Sequence, residues 1–138
     1  MNKISTTIRI SSDNIQSLDS GEVFVFGSNI RGVHCAGAAQ MANKLFGAEM
    51  GVGIGVTGDC YAIPTKDSNL RTLPITVVEE YIKDFIEYAY QTPDKIFLVT
   101  EVGCGLAGFS VKEIAPLFRR VLNCKNVYLP KTFIKELL

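Results

Sequence analysis

KIFLVTEVGCGLAGF, residues 95–109, has the strand-and-turn pattern of an α/β protein. A lysine opens it, IFLVT reads as a buried strand, and glycines follow at Gly103, Gly105 and Gly108. A strand that empties into a glycine-rich turn with a helix behind it is how α/β proteins hold phosphate. The same pattern occurs earlier, as VFVFGSNIRGVHCAGAA over residues 23–39, where an apolar strand runs into Gly27, Gly32 and Gly37 and a small-residue helix follows. Two such loops at the ends of two strands can close on one polyphosphate from both sides. Glycine tolerates positive φ and close backbone approach, so GCGLAG can aim several N–H groups into one concavity. The helix after Gly108 is expected to add its N-terminal partial charge. The plainer alternative is that the glycines only make tight turns and let helices pack closely. For one loop alone that alternative is preferred, and for the pair the ligand is.

Outward from these loops, strands alternate with helices. Strands are expected at residues 3–10, 22–26, 60–64 (ended by Pro64), 96–100 and 126–129. Helices are expected at 36–46, 73–90, 110–122 and 131–138. Thr76 with Glu79, and Ser110 with Glu113, have capping-box spacing. Residues 11–21 read as a polar turn or short helix, and residues 47–58, with five glycines, as a bent hairpin or mobile loop. The expected architecture is one α/β domain over residues 1–138, a three-layer α/β/α arrangement with a mixed, mainly parallel sheet.

Lys+Arg and Asp+Glu both number 14, so no global field draws the protein toward DNA, RNA or anionic lipid, and a charged ligand must be met locally. Cys35, Cys60, Cys104 and Cys124 lie far apart with no CxxC, and no signal peptide is recognisable, which favours reduced thiols in the cytoplasm. With His34 as the single histidine, the reading calls for no metal and no cofactor. No apolar run approaches a membrane span.

Over residues 23–122 the chain resembles the macrodomains, the fold that binds ADP-ribose. FGSN at 26–29 and GAA at 37–39 resemble the family's asparagine-bearing loop and following helix, and CYAIPT at 60–65 resembles its next central strand. VGCGLAGF at 102–109 resembles the phosphate loop, in the GCG form of macrodomains that remove ADP-ribose from nucleic acid bases or glutamate. Those glycohydrolases carry a lysine directly after this strand, as Lys66 stands after Pro64 and Thr65 here. Two departures bear on catalysis. Ala36 stands where many relatives have an acidic residue, and Leu106 and Ala107 stand where an acidic or hydrogen-bonding residue often follows GCG.

The resemblance implies that Asn29 reads the distal ribose; the alternative is an asparagine holding its own turn. Asp13 is placed at an adenine amino group, against a turn-capping role. Lys66 is the candidate catalytic residue, as a nucleophile at the anomeric carbon, against a phosphate-neutralising or a surface role. Arg71 would depress its pKa and a paired Asp67 would favour the ammonium. Gly32, Gly37, Gly103, Cys104, Gly105, Leu106, Ala107, Gly108 and Phe109 complete the expected ligand-binding set with His34, read as an exposed loop residue at the ligand's edge. Cys104 is more simply a packing residue, and Phe109 either core or a stacking rim. Three functions compete: an ADP-ribose-binding module, a glycohydrolase acting on ADP-ribosylated protein or DNA through Lys66, and a binder of another nucleotide or phosphorylated metabolite. Zero net charge argues mildly against a nucleic-acid substrate.

Overall fold

A computed structural model describes residues 9–138. The strands are β1 (Ile10–Ser11), β2 (Glu22–Asn29), β3 (Gly55–Thr57), β4 (Cys60–Lys66), β5 (Ile96–Val99) and β6 (Val127–Pro130). They form one sheet in the order β1-β6-β5-β2-β4-β3, parallel throughout except for the β3–β4 pair. The helices are α1 (Gly37–Leu45), α2 (Ile75–Tyr90), α3 (Val111–Ile114) and α4 (Lys131–Leu137), with a 3-10 segment at Ala115–Asn123.

Both sheet faces are covered, and the strand sequences say why. Along β2, Phe24 and Phe26 turn to one face and Val25 to the other; along β4, Cys60 and Ala62 join the phenylalanines while Tyr61 and Ile63 join Val25. The first face packs against Ala39 and Ala42 of α1, whose small side chains let the helix lie close to the sheet. The second is larger: Val78, Ile82, Phe85, Ile86 and Ala89 of α2 meet Phe118 of the 3-10 segment and Phe133 of α4. Phe85 sits at its centre, with ring centroids 5.1 Å from Tyr61 and 5.5 Å from Phe97. This is the expected α/β/α sandwich.

Several local expectations are corrected. Of the strand expected at 3–10, residues 3–8 lie outside the described residues; Arg9 O accepts from Leu129 N–H of β6, and the strand itself is Ile10 with Ser11. Pro64 does not end β4, which runs on to Lys66. Pro64 falls beyond Ala62, the last residue that β3 pairs, so its missing N–H removes no bond on that flank. The helix at 73–90 begins at Ile75 behind Pro74, and no side chain caps it, so Thr76 and Glu79 form no capping box. Ser110 and Glu113 do form one, but the α-helix they start lasts one turn before the 3-10 segment takes over at Ala115. Pro116 lacks the N–H that an α-helical bond to residue 112 would need.

The glycine-rich stretch 47–58 contributes the edge strand β3, and its remainder packs backbone to backbone against the loop after β2. A Cβ on Gly53 would lie 2.0 Å from the Asn29 carbonyl oxygen, and one on Gly32 would lie 2.4 Å from the Gly51 carbonyl carbon. These contacts, with the Ser28 hydroxyl donating to Gly53 O and Gly51 N–H donating to Gly32 O, brace the floor of the site below.

Candidate functional site

The carboxyl ends of β2, β4 and β5 open into a cleft of about 480 Å³. One wall is the loop after β2 and the start of α1, from Asn29 through Ala39; the other is the turn after β5, from Thr100 to Ala107; Thr65, Lys66 and Leu70 complete the mouth. The two glycine loops thus face one space, and their backbones nearly touch at its floor, where a Cβ on Gly27 would lie 3.2 Å from Gly103 N.

Free backbone donors line both walls. In the turn after β5, Cys104 N–H donates to Glu101 O, Gly108 N–H to Gly105 O and Phe109 N–H to Gly103 O. The N–H groups of Gly103, Gly105, Leu106 and Ala107 donate to no backbone acceptor among the described residues. Opposite them stands the N-terminus of α1. Ala36, its N-cap residue, has no side chain to cap it, the first turn holds no acidic residue, and the first helical bond is from Gln40 N–H to Ala36 O. Helix-terminal N–H groups left without protein acceptors form an anion site together with the helix dipole. The helix expected to serve this purpose does not: the N-terminus of α3 is occupied by the Ser110–Glu113 capping box, and Gly108 and Phe109 are not among the residues lining the cleft.

Asn29 is 9% exposed, and its amide is turned onto its own loop, with Nδ2 donating to Val33 O (2.8 Å) and Oδ1 accepting from Val33 N–H (3.0 Å). The turn-holding reading is therefore realised, at a residue that also lines the cleft. Lys66 reaches the cleft from the end of β4. Asp67 makes no ion pair with it among the described residues; its Oδ1 instead accepts from Asn69 N–H and Arg71 N–H, closing a tight turn. That turn holds Leu70 at φ +62°, a left-handed conformation rare for a branched side chain, and Thr72 hydrogen-bonds Ala107 O across to the glycine turn.

His34 corrects its expectation. It is 1% exposed, with Nε2 3.0 Å from the carbonyl oxygens of both Glu49 and Val52 and its ring edge-on to Phe26. Two acceptors at Nε2 assign the hydrogen there, leaving Nδ1 without a partner among the described residues. It braces the loop from behind, while Val33 and Cys35 on either side line the cleft. Gly32 likewise serves packing against Gly51, and Asp13 is exposed and outside the cleft lining. Cys104 lines the cleft, but burial, and then Glu101 and Glu113, push its thiol up to about 11, so it is no nucleophile at neutral pH. One lining residue that sequence reasoning missed is Glu101, whose Oε2 accepts from the Thr132 hydroxyl of α4. Nothing local in TEVG signals this, because the partner is 31 residues away.

Among the described residues no group of His, Cys, Asp and Glu side chains is placed to hold a metal, and no helix is long and apolar enough to cross a membrane. No family model, curated protein or solved structure matches the chain.

Proposed function

We propose that the protein binds ADP-ribose or a closely related nucleoside diphosphate in this cleft. The observation that carries the reading is the convergence of two sets of uncommitted backbone N–H groups, the turn at 103–107 and the uncapped start of α1, on one space. Among the described residues Lys66 and Glu101 are the charged side chains lining the cleft and their charges cancel, so an anion is held by amides and a helix end rather than by a basic patch. Such a site suits a compact diphosphate and offers nothing to a long phosphate backbone. The macrodomain-like strings FGSN, PTK and GCG fall on the walls and mouth of this cleft, which supports ADP-ribose as the ligand.

Titration calorimetry with ADP-ribose, ADP, AMP and NAD tests this reading. ADP-ribose is expected to bind more tightly than AMP. Gly105→Val is a suitable probe, since Gly105 is not among the glycines at positive φ and an added Cβ would meet nothing within 4 Å beyond its two chain neighbours. The side chain is expected to intrude on the ligand and to weaken binding by about 1–3 kcal/mol for a lost buried hydrogen bond. Unchanged affinity in the folded variant would remove the phosphate-loop assignment.

A second reading, hydrolysis of an ADP-ribosyl linkage, is favoured by Lys66, which lines the cleft without a carboxylate partner among the described residues. In that reading the Lys66 amine attacks the anomeric carbon as the bond to the acceptor breaks, and water then releases the sugar. Lys66→Ala should then abolish release of ADP-ribose from a modified substrate while product affinity stays nearly intact. If wild type leaves both ADP-ribosylated DNA and glutamate-linked protein untouched, the binding module stands and the enzyme does not.

A further inference from the structure

A carboxylate is out of place in a cleft built to hold an anion. Glu101 nevertheless lines it, and no other carboxylate does among the described residues. Both Glu101 and Thr132 are exposed, but one feature orders the Glu101 backbone and another gives its carboxylate a partner. Val102 N–H donates to Thr100 O at 2.7 Å, closing a three-residue turn with Glu101 at its apex, and Cys104 N–H then bonds the Glu101 carbonyl at 3.0 Å. The Thr132 hydroxyl, in the first turn of α4, donates to Oε2 and leaves the lone pairs of Oε1 uncommitted among the described residues. The carboxylate is thus held by a partner on another element beside the free N–H groups of the glycine turn.

Its position across the sheet is informative. Glu101 follows β5 and Lys66 ends β4, and β2 lies between them, so the strands that lead to the two charges lie about 10 Å apart. A diphosphate bound over β2 would bring an appended group up to Glu101. A further phosphate at that position would be repelled. A sugar hydroxyl would instead find a charged acceptor, the strongest kind of hydrogen-bond partner available to it.

We propose that Glu101 is a specificity-determining residue, its carboxylate accepting hydrogen bonds from hydroxyls of a sugar attached to the diphosphate and rejecting a third phosphate. Thr132 is its positioning residue. The proposal rests on the nucleoside-diphosphate reading above and adds the class of ligand: a nucleoside diphosphate sugar in preference to a nucleoside di- or triphosphate.

Calorimetric titration of ADP-ribose, ADP and ATP into wild type, Glu101→Gln, Glu101→Ala and Thr132→Val tests it, with melting curves to verify that each variant is folded. Wild type is expected to bind ADP-ribose most tightly and ATP most weakly. Both Glu101 variants should lose roughly tenfold or more in ADP-ribose affinity, as befits a charged hydrogen bond, while ADP changes little and ATP binds more tightly than to wild type. Thr132→Val, which keeps the carboxylate but frees it to rotate, should fall between them for ADP-ribose. An ADP-ribose to ADP preference unchanged in both Glu101 variants overturns the proposal and leaves the cleft reading standing. Wild type that binds none of the three ligands removes the cleft reading, and this proposal with it.

Discussion

Truncating Asn29 removes two hydrogen bonds at once, because Nδ2 and Oδ1 of one amide engage the carbonyl and N–H of the same residue, Val33. The bonds close the loop that forms one wall of the cleft, and they are partly shielded from water, so Asn29→Ala is expected to lower stability by about 1–3 kcal/mol. Since the loop's shape is what is lost, affinity for ADP-ribose and ADP should fall by similar factors. Chemical denaturation and calorimetry together check this: unchanged stability with a loss confined to ADP-ribose would mean that the amide's remaining N–H and lone pair contact the sugar. His34 teaches a related lesson at the same scale. A lone histidine between Val33 and Cys35 reads as a surface residue until the glycine-rich stretch 47–58 is folded over it, bringing the Glu49 and Val52 carbonyls to its Nε2.

At the scale of elements, the start of α1 carries a conflict between stability and binding. Ala36 has the extended backbone of an N-cap, φ −154° and ψ 160°, but no side chain able to accept from the first turn. Ala36→Asp supplies that acceptor and a favourable charge at the helix dipole, and should stabilise the protein by about 0.5–2 kcal/mol. The same carboxylate occupies the amides assigned to the ligand and repels a diphosphate, so ADP-ribose affinity should drop. A denaturation midpoint that rises while affinity is unchanged would show that α1 takes no part in binding. The strands around this helix were readable from the apolar runs VFVF and IFLV, and the glycine loops from composition. What the sequence left obscure depended on distant contacts: which helix end faces the cleft, and the Thr132–Glu101 bond, which joins a turn to an element that follows three further segments; the switch to 3-10 geometry at Ala115 had a local signal in Pro116.

Across the whole molecule, β4 ties the two cores together, since its neighbours Cys60 and Tyr61 point into opposite faces of the sheet. Cys60 lies beneath α1, near the Ala42 and Phe46 carbonyls, and burial followed by Asp59 pushes its thiol from 9.0 up to about 12. Tyr61 packs against Phe85 and Tyr88, and burial followed by Asp84 and Tyr88 pushes its hydroxyl from 10.0 up to about 12. In the unfolded chain both groups lose their protons at the lower, ordinary values. Above about pH 9 the unfolded state therefore holds fewer protons than the folded one, and stability must fall as pH rises. The contribution of these groups is complete below pH 9.0 and is lost progressively up to about pH 12, with Cys104 adding to the loss between 9.0 and about 11. Because the ionising groups face both layers, the loss should appear as one cooperative unfolding transition rather than the release of a single helix. Urea midpoints followed upward from pH 9 by far-UV and tyrosine signals would measure it, and Cys60→Ala should make the decline shallower although the variant starts from a lower stability. A wild-type midpoint that stays level across this window would show that these side chains reach water in the folded protein and that the β4 core is more open than its packing indicates.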